Sequence, residues 1–220
     1  MSDSREDLLQ ATYAARDAYL RQLGEVDPFV LTHLINPAFM GGPKWPNLRQ
    51  AMRVIRNGSH TIIVSDGLAD PFDENPEPNV GFGLEVLLET SDAIEGSVQN
   101  DWPFWIAYDV AQQFASHGGV RELIDELGMV SMELKARFGP SELTTPAGRI
   151  GLLFGVPCPN LLTEWAFPAG AVKVVTIKVL HPEELAVAAD EGDAGRKRLA
   201  ELFAADRTYH VSSANRPSVI

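Results

Sequence analysis

The stretch Met52-Arg53-Val54-Ile55-Arg56-Asn57-Gly58-Ser59-His60-Thr61-Ile62-Ile63-Val64-Ser65 sets the class of the fold. Met52 to Arg56 and Thr61 to Ser65 are rich in β-branched residues, and Asn57-Gly58 lies between them. Asn-Gly accepts the positive φ angles of a tight hairpin loop, so the stretch reads as two antiparallel strands turning at Asn57-Gly58. Downstream, Leu84, Val86 and Leu88 alternate with Glu85, Leu87 and Glu89. A period of two predicts a strand with Leu84, Val86 and Leu88 buried and with Glu85 and Glu89 exposed on the other face. Ile150 to Val156 and Val172 to Leu180 are further β-rich runs, and the tail from Arg207 to Ile220 is expected to add an edge strand.

Helical signals surround these strands. Residues 5–23 carry a stripe of Leu8, Thr12, Ala15, Tyr19 and Leu23, opened by a capping-box-like pair of Ser4 and Asp7. Asp27-Pro28 is expected to start a short helix through Leu34. In residues 102–116, Pro103 sits in the first turn, Gly118-Gly119 ends the run, and Phe104, Ala107, Tyr108, Ala111 and Phe114 form the packing stripe. Shorter helices are expected from Arg121 to Leu127, from His181-Pro182-Glu183-Glu184 onward, and after Asp193. The order is helices, strands, helix, strands, helices. It implies a mixed α/β (α+β) fold, a central mixed sheet flanked by helices, as a single domain over residues 1–220 with an N-terminal helical segment at 1–40.

Bulk properties narrow the function. Apolar residues make up 45% of the chain, too many for a disordered protein. No run is long enough to span a membrane, and the acidic start MSDSREDLLQ is not a signal peptide, so a cytoplasmic location is expected. The net charge of −12 opposes nucleic acid and anionic membrane as partners and favours a basic protein, although it also serves solubility alone.

The residues that could carry chemistry are few. The five histidines, His33, His60, His117, His181 and His210, show no metal-ligand spacing, and no metal or cofactor is expected. His60 lies near Asp66 and Asp70 in sequence, which allows a small hydrolase-type site as an alternative; a histidine hydrogen-bonded at a strand end is the plainer reading. The single cysteine, Cys158, sits in Val-Pro-Cys-Pro. As a nucleophile it would need a base that the sequence does not place; otherwise it is a small, partly buried side chain. Gly81-Phe82-Gly83 lacks the third glycine of a dinucleotide loop. Asp66, Asp70, Asp73 and Glu74 gather on a loop without calcium-loop spacing, read either as a solvated connection or as a patch for a basic partner. Trp102 and Trp105 serve as core or as an anchor surface.

Several segments, in order, resemble the N-terminal domain of the Suppressor of fused family. They are Gly41-Gly42-Pro43 before the strand ending in Arg56-Asn57; His60 to Phe72, with Gly67-Leu68-Ala69-Asp70; Gly81-Phe82-Gly83-Leu84-Glu85-Val86; Trp102-Pro103 opening a helix with Val110-Ala111; Val174-Val175-Thr176 with Pro182-Glu183-Glu184-Leu185; and Gly195 to Leu202 with Arg216 to Ile220. The resemblance covers residues 41–220. It implies a non-catalytic protein-binding domain. In the animal protein two lobes clamp an extended peptide; this chain matches the first lobe, so an intramolecular clamp is not expected. The family's peptide-contacting tyrosine in the Trp-Pro helix corresponds to Gln113, which makes Gln113 a candidate contact beside Asp66, Asp70, Asp73 and Glu74. Stand-alone bacterial-type members further imply an immunity protein that binds a toxin, for which the negative charge suits a basic partner.

Overall fold

The computed structural model describes residues 2–135 and 137–220. Nine strands form a mixed sheet: β1 (Glu25–Val26), β2 (Leu31–Thr32), β3 (Ala51–Asn57), β4 (His60–Asp66), β5 (Leu84–Thr90), β6 (Val130–Lys135), β7 (Arg149–Phe154), β8 (Glu164–Phe167) and β9 (Gly170–Leu180). The order is β1-β3-β4-β5-β9-β7-β6, with β2 also pairing β3 and β8 pairing β9. Only the β5–β9 pair is parallel among these ladders. The helices are α1 (Ser2–Leu23), α2 (Trp102–His117), α3 (Val120–Leu127), α4 (Pro182–Asp190) and α5 (Asp193–Ala205).

The hairpin forms as the sequence predicts, with the loop moved by one residue. Asn57 pairs with His60, so the two loop residues are Gly58 and Ser59. Gly58 takes φ +60, which suits a two-residue loop with glycine first and keeps Asn57 in the ladder.

Helices cover both faces of the sheet. On one side α2 packs over β4 and β5, where Phe104, Ala107, Ala111 and Phe114 meet Val54, Ile63, Val86, Leu88 and Val175. The expected stripe is therefore inward, with Tyr108 half-buried at its margin. On the other side Leu20 of α1 joins Ile55, Ile62, Val64, Leu87 and Trp165. Beyond them, α4 and α5 close over Leu153 and Leu180 with Leu185, Leu199 and Phe203.

This double cover corrects the reading of β5. Leu84, Val86 and Leu88 are buried as expected, but Glu85 is 0% and Glu89 8% exposed. Their face is not solvated; it lies under α1 and the C-terminal segment. The inward line of α1 is Thr12, Arg16 and Leu20, at 2%, 1% and 0% exposure, so a charged residue sits in the middle of its packing stripe.

Three further expectations are corrected. Helix α1 begins at Ser2, upstream of the expected cap at Ser4. The segment after Pro28 is extended, because Leu31 and Thr32 pair with Met52 and Ala51 and the Thr32 hydroxyl donates to the Gln50 carbonyl at 3.2 Å. The C-terminal tail adds one bridge, Thr90 to Ser212, rather than an edge strand. Strands β1, β6 and β8 were not foreseen from the sequence, and the segment 1–40, expected to be helical, holds β1 and β2 after α1.

Candidate protein-binding surface

The acidic loop is largely internal. Asp66 and Asp70 are both 0% exposed. Arg16 reaches across from α1 to Asp66 Oδ1 at 2.6 Å, to Asp70 Oδ1, and to Glu85 Oε1 at 3.2 Å. Arg49 adds a second ion pair to Asp66 at 2.5 Å and Arg53 a third at 3.5 Å. Glu85 also accepts from the Ser65 hydroxyl at 2.5 Å and from the N–H groups of Gly67 and Ala69 at 3.2 and 3.1 Å. Gly67 is required there: at φ +139, a Cβ would fall 2.2 Å from the Arg49 carbonyl.

These contacts divide the carboxylates. Burial would raise Asp66, but Arg16, Arg49 and Arg53 together hold it below the usual range. Glu85 has only Arg16 among the arginines, and burial pushes its carboxyl up to about 7 against Arg16 and Ser65. The cluster thus ties α1 to the sheet. It corrects the expectation of a solvated loop at Asp66 and Asp70, which cannot present their charge to a partner. Asp73 and Glu74, further along the same loop, are exposed.

The exposed apolar surface lies beside them. Among the described residues, seven of the twelve exposed large apolar side chains fall between residues 29 and 48: Phe29, Val30, Leu34, Ile35, Phe39, Met40 and Leu48. Exposed apolar side chains concentrated on one stretch make it a candidate contact surface, unlike single ones scattered over the molecule. The backbone beneath them is held firmly. Asn36 caps the short 3-10 turn Pro37–Met40 through Oδ1 to the Ala38 N–H at 2.9 Å, and its Nδ2 donates to the Leu48 carbonyl at 2.7 Å. Gln50 Nε2 donates to the Pro43 carbonyl at 2.9 Å, and Gln112 of α2 donates to Gln50 Oε1 at 3.2 Å. A backbone fixed by such bonds, with its apolar side chains outward, loses little freedom on association.

Two grooves of about 340 Å³ each score this surface and share Trp45 and Gln50 as a wall. One is lined by Leu31, His33, Met52, Phe104, Trp105 and Tyr108. His33 stands edge-on to Tyr108 at 5.0 Å, and Trp105 leans on Phe138 at 4.8 Å. The other is lined by Phe39, Leu48 and Phe72 with Asp73 and Glu74. Apolar centres with a charged margin are the usual anatomy of a protein interface.

The remaining sequence candidates lie elsewhere. Gln113 is half-buried on α2, where its carbonyl meets His117 Nδ1 at 2.8 Å, and it lines neither groove. His60 does not meet Asp66, which stands at the other end of β4, nor Asp70, which Arg16 engages. Its Nδ1 lies 2.5 Å from Glu89 Oε1 instead, so the pairing required by the hydrolase alternative is absent. Trp102 and Trp105 are half-buried, donating to Asp92 Oδ2 at 3.2 Å and to the Gln99 carbonyl at 2.9 Å. Sequence reasoning missed Arg16 and the 29–48 surface. An arginine four residues from both Thr12 and Leu20 was the available signal for the first; the second left none beyond the Gly-Pro punctuation at 41–46. Among the described residues no group of three His, Cys, Asp or Glu side chains is placed to hold a metal ion.

No family model and no curated protein matches the sequence. Solved structures do. A chain from a crystal structure of the Sufu–Fu complex superposes with a TM-score of 0.62 at 17% identity, covering 96% of this chain and 92% of that one. Drosophila Suppressor of fused gives a TM-score of 0.52 at 19% identity over 88% of this chain, which spans 47% of the Drosophila chain. The pairing of strands, the Trp102–His117 helix over β4 and β5, and these superpositions agree: this chain has the Suppressor of fused fold.

Proposed function

We propose that this protein is a non-catalytic protein-binding domain that docks its partner on the surface formed by residues 29–48 and the N-terminal half of α2. The observation that carries the reading is the concentration of exposed apolar side chains on a backbone tied down by Asn36 and Gln50. The structure of a similar fold in complex with a protein partner supports it. The occupant that fits is a protein segment with apolar side chains at its centre and Lys or Arg at its margin, opposite Asp73 and Glu74. The net charge of −12 would steer such a partner. An immunity protein acting in the cytoplasm against a basic toxin is the specific form of this reading. Among the described residues no helix is long and apolar enough to cross a membrane, which is compatible with that setting.

The test is capture at low salt from the source cell, comparing the wild type with a Phe39→Ser/Leu48→Ser variant. A basic protein held by the wild type and lost by the folded variant supports the proposal. Equal capture by both, or capture of nothing, overturns it.

A further inference from the structure

A separate cavity, of about 490 Å³, opens at the His60 end of the β3–β4 hairpin and is lined by His60, Glu89, Cys158, Asn160, Arg207 and His210 among others. Glu89 sits between two imidazoles. Its Oε1 lies 2.5 Å from His60 Nδ1 and its Oε2 lies 2.9 Å from His210 Nε2. His210 is 3% exposed, yet its second ring nitrogen, Nδ1, is buried without a hydrogen-bond partner. A buried imidazole nitrogen without a partner costs free energy unless a nearby group can meet it. Cys158 is the neighbour that can use it: the half-exposed residue lines the same cavity as the ring.

The backbone holds His210 in place. Arg207 and Tyr209 have φ of +57 and +43, the only positive values at non-glycine residues among those described. The N–H groups of Thr208 and Tyr209 both donate to the Phe203 carbonyl, at 2.9 and 3.1 Å, and Ser212 N–H donates to the Glu89 carbonyl at 2.8 Å. The base that a nucleophilic Cys158 would need, which the sequence could not place, is therefore present, with a carboxylate behind it.

We propose that Cys158 is a modification site, at which a thiol activated by His210 and Glu89 exchanges with small disulfides that carry carboxylates. Burial favours the neutral thiol, but His210 and the Asn160 N–H outweigh it and hold Cys158 below its ordinary pKa. Burial likewise disfavours a charged His210, but Cys158 and Glu89 bring it up to about 9. Both shifts favour the ion-pair form of Cys158 and His210, and Glu89 stabilises the imidazolium. In the exchange, the Cys158 sulfur attacks one sulfur of the small disulfide and forms a new S–S bond. The old S–S bond breaks and its electron pair leaves on the second sulfur, which takes the proton of His210. Cys158 is oxidised to a mixed disulfide, and half of the small disulfide is released as a thiol. Exposed Arg207 at the rim favours a disulfide bearing carboxylates over a cationic one.

This site and the docking surface lie at opposite ends of β3, near Asn57 and near Ala51–Met52 respectively. Failure of one leaves the other standing.

Cys158 is the chain's single cysteine, so labelling reports on it alone. The rate of alkylation by iodoacetamide is measured on the native protein and on the protein unfolded in urea, at pH about 6, where an ordinary thiol is almost wholly protonated. The native protein is expected to react roughly tenfold faster than the unfolded chain. Glutathione disulfide should then add one glutathionyl group by intact mass, faster than cystamine adds its cationic half. In a folded His210→Gln variant the native rate should fall to that of the unfolded chain. A native rate no greater than the unfolded rate overturns the proposal, as does a native protein that glutathione disulfide leaves unmodified. A His210→Gln variant that folds and keeps the wild-type rate overturns it as well, because the activation is assigned to His210.

Discussion

Arg16 of α1 and Glu85 of β5 meet 3.2 Å apart between helix and sheet, both shielded from solvent. The same guanidinium serves Asp66 and Asp70. A buried cation shared in this way costs much desolvation, and removing it leaves carboxylates uncompensated in a low-dielectric interior. Arg16→Met should therefore lower stability by about 3–5 kcal/mol. The check is urea denaturation followed by tryptophan fluorescence. A loss below about 1 kcal/mol would mean that Arg49, Arg53 and water satisfy the cluster without Arg16.

Glu85 gives the cluster a pH signature. Its carboxyl titrates at about 7 in the folded protein against 4.5 for the free side chain. Between those values the native state keeps a proton that the unfolded chain has lost. The stabilisation from this proton is complete below 4.5 and is lost as pH rises through about 7. Glu85→Gln cannot titrate. Comparing urea midpoints at pH about 5 and about 8, the wild type should lose stability relative to the variant as pH rises. A constant difference between the two proteins would show that Glu85 is ionised throughout.

On the opposite face, Phe114 of α2 is 5% exposed and stands edge-on to Phe154 of β7 at 5.0 Å. Phe114→Ala should cost about 3–5 kcal/mol by leaving a cavity between helix and sheet. A cost under about 1 kcal/mol would place this ring outside the core.

The division between what could be read and what could not follows from these residues. The hairpin was legible because β-branched runs flank a Gly58 that accepts positive φ, and α2 was legible because Pro103 and Gly118 bracket its apolar stripe. Glu85 and Glu89 were misread because alternation records polarity, not solvent. A carboxylate buried against Arg16 or His210 has the same local pattern as one in water. Asp66 and Asp70 were misplaced for the same reason, since their cations lie on α1 and near the start of β3. The cavity at Cys158 depends on His210 and Glu89, which are distant in sequence and are brought together where Ser212 bridges to Thr90 and bonds Val179.

Asp73 and Glu74 are the members of the acidic loop left in solvent, and they line a groove with Phe39 and Leu48. Asp73→Asn/Glu74→Gln should slow association with a basic partner severalfold, with a smaller effect on the lifetime of the complex. The slowing should shrink as salt shortens the screening length to about 10 Å at 0.1 M. Stopped-flow association at two ionic strengths measures both effects. An unchanged on-rate would remove these carboxylates from the interface.

The central claim is that the surface at residues 29–48 binds a protein, and the most direct measurement is the affinity of the captured partner for the Phe39→Ser/Leu48→Ser variant. Calorimetry should show binding weakened at least roughly tenfold relative to the wild type, as expected when central apolar contacts are removed, with the variant's urea midpoint unchanged. Affinity equal to that of the wild type would contradict the account.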